Sequence, residues 1–224
     1  MEAYARSTTR TQYQDLIEEY APLVKAAVNR VASCLPAEVD RGVLVGKAIM
    51  ALIETAYSTP PGPLFEQQAR ANIWQSVVKW LGEQPWLVHR LQEAADRLYA
   101  AYIRVERDLD RTSASDGGID TDRLAHQLET THEQLEEWLR EVTAYFTAWP
   151  RSFLGADQHD YTSQEIALAV SQLPPTSRLV VTLAHYEELS HEEIGEILAV
   201  SPEQVNSIYA KAALSIRAYL AQMR

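Results

Sequence analysis

The chain of 224 residues has little of what several protein classes need. Its single cysteine, Cys34, cannot support a disulfide framework, and beside Leu35 and Pro36 we expect it to be buried. The eight glycines form no phosphate-binding loop, and cysteine and histidine show no metal-ligand spacing. No apolar run approaches the roughly 18 to 20 residues of a transmembrane helix, and residues 1–10 are polar rather than signal-like. We therefore expect a cytoplasmic protein with no membrane span, no metal and no cofactor.

Positive charge is also scarce, because 20 Lys and Arg stand against 31 Asp and Glu, a net charge of −11. Neutralising phosphates requires Lys and Arg, so this balance argues against broad, non-specific binding of nucleic acid. Acidic side chains are concentrated in residues 108–163, which carry 12 acidic and 4 basic side chains. By contrast, residues 64–107 have a net charge of +1 and residues 164–224 a net charge of −3. The acidic segment is either a solvated face or a surface for a basic partner.

The pattern of apolar residues predicts an all-α fold, because apolar side chains recur at helical spacing and strand-like alternation is almost absent. Thr131 and Gln134 have the spacing of a capping box. Residues 112–120 are predicted to form a polar loop, and Trp149–Tyr161 a linker between domains. The predicted helices of this part of the chain are residues 12–35, Val43–Tyr57, Phe65–Trp80, Trp86–Leu109, Thr121–Leu128 and Thr131–Phe146.

The C-terminal residues carry the strongest signal. Helices are predicted over Glu165–Gln172 and Ser177–Glu187. Ser190 then begins a capping box with Glu193, a tight turn follows at residues 199–200, and a second capping box joins Ser201 to Gln204, with a proline at the first helical position. A short helix, a tight turn and a long helix are typical of a helix-turn-helix, which inserts its second helix into the major groove of DNA. An ordinary helical hairpin is the alternative.

The exposed face of the second helix supplies the candidate contacts to DNA. Gln and Asn side chains can pair with adenine edges, while Lys and Arg contact phosphates. The nearby histidines His185 and His191 and their neighbouring glutamates are interpreted as capping and solvent-facing side chains rather than as an acid–base or metal cluster. The candidate DNA-binding residues are Glu203, Gln204, Asn206, Ser207, Tyr209, Lys211 and Arg217.

Residues 173–220 resemble region 4, the part that recognises the promoter −35 element, of bacterial RNA polymerase sigma factors of the sigma-70 superfamily. The resemblance includes Leu173-Pro174, the run from Tyr186 to Leu189 and Glu193-Ile194-Gly195, and it is specific to the flagellar and sporulation branch. Residues 20–39 resemble region 2.1 of that branch and residues 109–142 resemble region 3. The implied domains are a region 2-like domain (1–108), a region 3-like domain (109–148), a linker (149–163) and a region 4-like helix-turn-helix (164–224).

The resemblance implies an alternative sigma factor rather than an enzyme. The partners that it implies are core RNA polymerase and promoter DNA, with an anti-sigma factor as a further candidate and no small-molecule substrate. The residues that it places at the −10 element are Gln68, Asn72, Trp74, Lys79, Trp86 and Arg90. The residues that it places at the polymerase are Leu44, Lys47, Met50 and Glu54.

The sequence departs from the family pattern at several of these positions. Gly42, Val43 and Gly46 lie in the helix that grips polymerase, where the family has acidic and polar residues. Asn72 and Trp74 stand where the family has two arginines. The tryptophans Trp74, Trp80 and Trp86 are interpreted either as core side chains or as rings on which flipped bases stack. These departures motivate an alternative, a divergent sigma-like regulator that acts by protein contacts, as an anti-sigma-binding decoy or a polymerase accessory subunit, without promoter melting. A stand-alone helix-turn-helix regulator is a third hypothesis.

Overall fold

The computed structural model describes residues 2–60, 62–109, 121–154 and 161–223. All the regular secondary structure in these residues is helical, which confirms the predicted all-α class. None of the described helices is both long and apolar enough to cross a membrane. The predicted loop at residues 112–120 and residues 155–160 of the predicted linker lie outside the described residues.

Eleven helices account for most of the described chain. Their bounds are α1 (Glu2–Ala32), α2 (Arg41–Ser58), α3 (Pro63–Gly82), α4 (Pro85–Leu109), α5 (Thr121–Gln127), α6 (His132–Ala148), α7 (Pro150–Leu154), α8 (Ser163–Ser171), α9 (Pro175–His185), α10 (His191–Leu198) and α11 (Pro202–Gln222).

The chain divides into two compact units. Unit 1 comprises residues 1–32 and 37–85, and unit 2 comprises residues 33–36 and 86–224. The predicted boundary near residue 108 falls inside unit 2, because α4 is bound to the C-terminal helices: Tyr102 Oη lies 2.9 Å from Ser215 Oγ of α11. The four-part assignment that the family resemblance implies remains a prediction.

Unit 1 is a bundle of α1, α2 and α3, in which each helix packs against the other two. Leu44 and Leu52 of α2 and Phe65 and Ile73 of α3 are almost fully buried in its core. The ring of Tyr20 from α1 packs on Phe65 with centroids 4.8 Å apart. At the start of α2 the carboxylate of Asp40 accepts a hydrogen bond from the backbone N–H of Gly42 at 2.8 Å, which caps the helix.

Unit 2 is organised around α6 and α11, which pack against each other. The second half of α6, residues 141–148, is buried on every side, and α11 contacts α7, α8, α9 and α10 as well as α6. A helix that is buried all round must be covered by several neighbours, so α6 forms the centre of this unit.

Two local predictions are corrected by the structure. Thr131 Oγ1 accepts the backbone N–H of Gln134 at 3.2 Å, but the Gln134 amide donates to Glu137 instead of closing the capping box. The predicted linker contains a short helix, α7, because Phe153 and Leu154 are buried apolar side chains that anchor it to the core of unit 2. A capping box that the sequence analysis missed joins Thr162 to Glu165 and begins α8.

Candidate nucleic-acid and partner-binding sites

The helix-turn-helix geometry of α10 and α11 follows from local sequence. Both predicted capping boxes are present, at the starts of α10 and α11. Between the helices Ala199 has a left-handed backbone with φ of 53°, and Gly195 allows the turn to pass close to α10. A side-chain carbon at position 195 would lie 2.8 Å from the carbonyl oxygen of Val200, so any larger residue there would displace the turn.

The predicted DNA-binding face of α11 is divided between exposed and buried side chains. Glu203 and Gln204 in the first turn are exposed, and Ser207 is half-buried. Three others are buried in unit 2, with 7% of Asn206, none of Tyr209 and 9% of Lys211 exposed. A groove-reading helix needs these side chains at its surface, so α11 as packed here cannot present its whole predicted face to a duplex.

Tyr209 is held by an aromatic cluster that includes α6. Its ring centroid lies 5.4 Å from that of Phe146 and 5.7 Å from that of His185, on which it stacks. Its hydroxyl lies 2.7 Å from His185 Nε2 and accepts a hydrogen bond from Thr147 Oγ1 at 3.2 Å. Because the hydroxyl is satisfied inside the protein, exposing Tyr209 to DNA would break these bonds.

Cys34 is only 3% exposed, which confirms its predicted burial, and it lies beside Asn206. The Cys34 thiol donates to Asn206 Oδ1 and lies near His191 Nδ1, both at 3.7 Å. Burial raises the pKa of Cys34 to about 11 and lowers the pKa of His191 to about 4, because both charged forms lose hydration. The prediction that His191 faces solvent is wrong: only 5% of it is exposed, because its ring packs against Tyr209 at 5.2 Å.

Arg217, a predicted phosphate contact, is bound to α4. Its Nη2 donates to Asp96 Oδ1 at 2.9 Å, and its guanidinium lies 4.3 Å from the ring centroid of Tyr99. At the other end of α11, hydrogen bonds from its own backbone and from Ser201 lower the pKa of Glu203. A negative charge at the helix N-terminus is favourable for the helix and unfavourable beside a DNA phosphate.

An open cavity of about 400 Å³ in unit 2 borders the first turns of α11. Glu136 and Arg140 of α6 line one side, and Glu192 and Glu203 line the other. Within the described chain, no group of three His, Cys, Asp or Glu side chains is placed to hold a metal ion. The charged side chains that line the cavity are of both signs, and the exposed residue Gln204 lies beside them.

The predicted −10 residues of unit 1 lie on α3. Gln68 accepts a hydrogen bond from Thr59 Oγ1 at 2.6 Å, and Asn72 donates to Thr55 Oγ1 at 3.0 Å. Both side chains therefore help to hold the C-terminal end of α2 against α3. Trp74 is half-buried with the Arg30 guanidinium 4.6 Å from its ring centroid, whereas Lys79 is exposed.

The two predicted −10 residues of unit 2 differ in exposure. Trp86 is 46% exposed near the start of α4, so one face is available for stacking. Arg90 donates to Glu141 Oε1 at 2.5 Å and to Glu137 Oε1 at 2.6 Å, both on α6. Because Glu141 is 3% exposed, Arg90 compensates a buried carboxylate, a role that contact with a phosphate would interrupt.

The predicted polymerase-binding residues lie on α2. Lys47, Met50 and Glu54 are exposed, but Leu44 is fully buried against the other helices of unit 1 and contributes to the core instead. The sequence analysis missed the exposed apolar side chains around Met50, which include Val43, Ile49 and Tyr57. Of these side chains, Val43, Met50 and Tyr57 stand seven residues apart, a regular spacing that the sequence already shows.

Comparisons with known proteins show which family and which fold the chain resembles. Residues 169–218 match the family "Sigma-70, region 4", a span that runs from the end of α8 into the second half of α11. The chain is 29% identical to the RNA polymerase sigma factor FliA of Pseudomonas aeruginosa over 99% of this chain and 96% of that relative. It is 26% identical to FliA of Escherichia coli K12 over 93% and 94%, and 22% identical to the RNA polymerase sigma-D factor of Bacillus subtilis over 91% and 87%.

A solved structure of the flagellar sigma/anti-sigma complex, sigma-28/FlgM, shares the fold, with a TM-score of 0.59 and 23% identity over 96% of this chain and 97% of that one. The family match gives the class of the protein: its C-terminal residues form a sigma-70 region 4 domain, and the described chain is all-α. More particularly, the chain is similar over nearly its whole length to the RNA polymerase sigma factor FliA, and it shares the fold of the solved sigma-28 protein.

Proposed function

We propose that this protein is an alternative sigma factor, which joins core RNA polymerase in the cytoplasm and directs it to promoters for transcription initiation. The observation that carries the proposal is the similarity to FliA along 99% of the chain, which includes every unit that would contact polymerase or DNA. In this role the protein is not an enzyme: it supplies binding and strand capture, and polymerase performs the bond chemistry.

The proposed contact to the −35 element is made by α11. Gln204 is already exposed and can reach a base edge, while Asn206 and Lys211 are buried in unit 2 and become available only when α11 separates from the residues packed on it. The contact of Tyr209 with Phe146 of α6 and the pair of Arg217 with Asp96 of α4 oppose that separation. Promoter binding therefore requires unit 2 to open, and binding to polymerase is the step that would supply the free energy for opening.

The proposed contact to the −10 element uses Lys79, Trp86 and the polar face of α3. A base flipped from the duplex can stack on an exposed aromatic ring, and Trp86 offers one. The net charge of residues 64–107 is only +1, so this contact is weak in the free protein and depends on polymerase to hold the DNA. An anti-sigma factor is a further proposed partner, since FlgM binds the sigma-28 protein of the solved complex.

Two linked assays test the proposal. Core polymerase subunits should co-purify with the full-length protein from its native cell, and the reconstituted holoenzyme should start transcription at a specific promoter in vitro. Gln204→Ala should change the preference at one base pair of the −35 element, whereas Gln172→Ala, an exposed glutamine between α8 and α9, should not. Failure of both co-purification and transcription would refute the proposal.

A divergent sigma-like regulator that acts only by protein contacts is the second candidate. It is favoured by the internal engagement of Tyr209, Arg217 and Arg90, three predicted DNA contacts that are bound inside unit 2. This regulator would bind polymerase or an anti-sigma factor but would not open a promoter. Co-purification without promoter-specific transcription, and without reactivity of promoter thymines to permanganate, would identify it.

A further inference from the structure

The cavity of about 400 Å³ in unit 2 is lined by three deeply buried residues with polar atoms, the cavity floor. The floor consists of Cys34, His191 and Asn206, of which 3%, 5% and 7% are exposed. Cavities that bind small molecules have volumes of roughly 300 to 1,000 Å³, so this one has sufficient size. Because a buried polar group costs free energy unless it forms hydrogen bonds, the unused donors and acceptors of the floor indicate what the cavity can bind.

The side-chain amide of Asn206 has unused hydrogen-bond donors. Its Oδ1 accepts a hydrogen bond from the Cys34 thiol at 3.7 Å. Its two N–H groups donate to no residue in the part of the chain that the structure describes. The amide nitrogen is not fully sealed from solvent, and Asn206 lines the cavity, so these N–H groups open into the cavity. A ligand that enters the cavity would find a hydrogen-bond donor at its floor.

The ring of His191 supplies an acceptor next to this donor. The thiol hydrogen of Cys34 is used in the bond to Asn206, so the contact of 3.7 Å between Cys34 Sγ and His191 Nδ1 is donated by Nδ1. The neutral ring then has a lone pair on Nε2, which accepts no hydrogen bond from any described residue. Burial lowers the pKa of His191 to about 4, which keeps the ring neutral at pH 7. A donor and an acceptor are thus held beside the same sulfur atom.

The walls of the cavity are apolar, and its rim is charged. Leu135 and Leu139 of α6 are 1% and 2% exposed and line the cavity together with Pro202. The exposed charged residues at the rim are Arg140, Glu136, Glu192 and Glu203. A ligand with a full charge would meet a side chain of its own sign at the rim and would lose hydration at the floor, so a neutral molecule fits best. An apolar ring would also release water from the leucine walls.

We propose that this cavity is a binding site for a small neutral ring molecule with a lactam group, in which a carbonyl stands next to an N–H. The carbonyl oxygen accepts a hydrogen bond from the Asn206 amide, and the lactam N–H donates to His191 Nε2. The apolar part of the ring packs against Leu135 and Leu139. The molecule is a ligand that is bound and released unchanged, not a substrate.

The ligand would stabilise the closed packing of unit 2. Leu135 and Leu139 belong to α6 and Asn206 belongs to α11, so a molecule that contacts all three favours the state in which the two helices are together. It would also occupy the Asn206 amide, a predicted contact to DNA. In this respect the inference rests on the proposed function: the ligand would inhibit recognition of the −35 element by α11.

The first test uses isocarbostyril, a neutral bicyclic lactam, with the full-length wild-type protein. Isothermal titration calorimetry should give a dissociation constant below about 1 mM for a ligand of this size. N-methylisocarbostyril keeps the ring and the carbonyl but lacks the N–H donor, so it should bind at least about tenfold more weakly. Absence of isocarbostyril binding at about 3 mM, or equal binding of the two compounds, would overturn the proposal.

The second test uses Asn206→Leu, which removes the donors and keeps a side chain of similar size. Its affinity for isocarbostyril should fall at least about tenfold. Gln172→Leu is the matched control, because it removes an exposed amide between α8 and α9, and its affinity should change less than about twofold. Circular dichroism checks that both variants are folded. Full binding by Asn206→Leu would refute the site, and if this variant does not fold, the comparison of the two compounds on the wild type still decides.

A third measurement tests the inhibitory role and separates it from the proposed function. At a concentration of isocarbostyril about three times its dissociation constant, the affinity of the protein for a −35 duplex should fall about fourfold in fluorescence anisotropy. An unchanged duplex affinity with isocarbostyril bound would overturn the inhibitory role. Calorimetry contains neither polymerase nor DNA, so failure of the sigma-factor function leaves the test of the cavity intact, and absence of isocarbostyril binding leaves the sigma-factor function standing.

Discussion

The hydroxyl of Tyr209 accepts a hydrogen bond from Thr147 at 3.2 Å, which joins α11 to the central helix of unit 2. Tyr209 lies on the face of α11 that the sequence assigns to DNA, yet none of its side chain is exposed. Under the proposed function the same face has two competing uses, closing the core of unit 2 and contacting a duplex. The free energy of the α6–α11 contact sets the balance between them.

The contribution of Tyr209 to unit 2 can be measured by two substitutions. Tyr209→Phe keeps the ring and loses two hydrogen bonds, so the free energy of unfolding should fall by about 1 kcal/mol. Tyr209→Ala also removes a fully buried ring and should cost about 3 to 5 kcal/mol. Urea unfolding followed by circular dichroism measures both. Tyr186→Ala is the control, because Tyr186 is 85% exposed and its loss should cost no more than about 0.5 kcal/mol.

The ion pair between Arg217 and Asp96 should restrain α11. Asp96→Asn removes the charge that binds Arg217, and the affinity of the free protein for a −35 duplex at low salt should rise about two- to fivefold. Glu93→Gln is the matched control, since it removes the same charge from α4 but its partner is Arg97 of the same helix. Fluorescence anisotropy measures the affinities. Equal gains in the two variants would assign the effect to net charge and contradict the restraint.

Cys34 should be unreactive in the folded protein. Burial raises its pKa to about 11, so almost no thiolate is present at pH 8, and the thiol is also shielded from reagents. Labelling with a chromogenic disulfide at pH 8 should be at least about a hundredfold slower than in urea-unfolded protein. Fast stoichiometric labelling under native conditions would contradict the burial. Because unfolding exposes the Cys34 thiol, the rate of labelling also measures how often unit 2 opens.

The helix-turn-helix could be predicted from sequence because its signals are local. Ser190 and Ser201 each stand three residues before the side chain that completes the cap, and both caps form as predicted. Gly195 and Ala199 shape the turn through their own backbone geometry. Interactions of this kind depend on residues within one turn of helix, so short sequence patterns determine them.

The packing partner of α11 could not be predicted in the same way. Helical periodicity indicates that a stripe is buried but not which helix covers it. Five helices, α6 to α10, pack on α11, and polar residues outside its apolar stripe are buried as well. Asn206 and Lys211 are polar and were assigned to DNA, yet both are buried. Arg217 and Asp96 stand 121 residues apart, a pairing that only the folded chain brings together.

The outward face of α2 is an intermediate case. Val43, Met50 and Tyr57 show their heptad spacing in the sequence, but an apolar stripe in an all-α protein is normally assigned to the core. The structure was needed to show that α2 already has a separate buried side, formed by Leu44, Ala48 and Leu52. The exposed stripe of α2 is therefore recognised only once the buried one is known.

His191 should make the stability of unit 2 depend on pH. Burial lowers its pKa from 6.5 to about 4, so the unfolded chain binds a proton below about pH 6.5 while the folded chain stays neutral until about pH 4. Its contribution is therefore present above pH 6.5 and is lost as the pH falls to 4, by about 3 kcal/mol in total. Urea unfolding at pH 7, 5.5 and 4.5 measures this loss. In His191→Gln the carboxylates still titrate but this component is absent, so the variant should lose less stability over the same range. Parallel losses in the two proteins would show that His191 is not buried as a neutral ring.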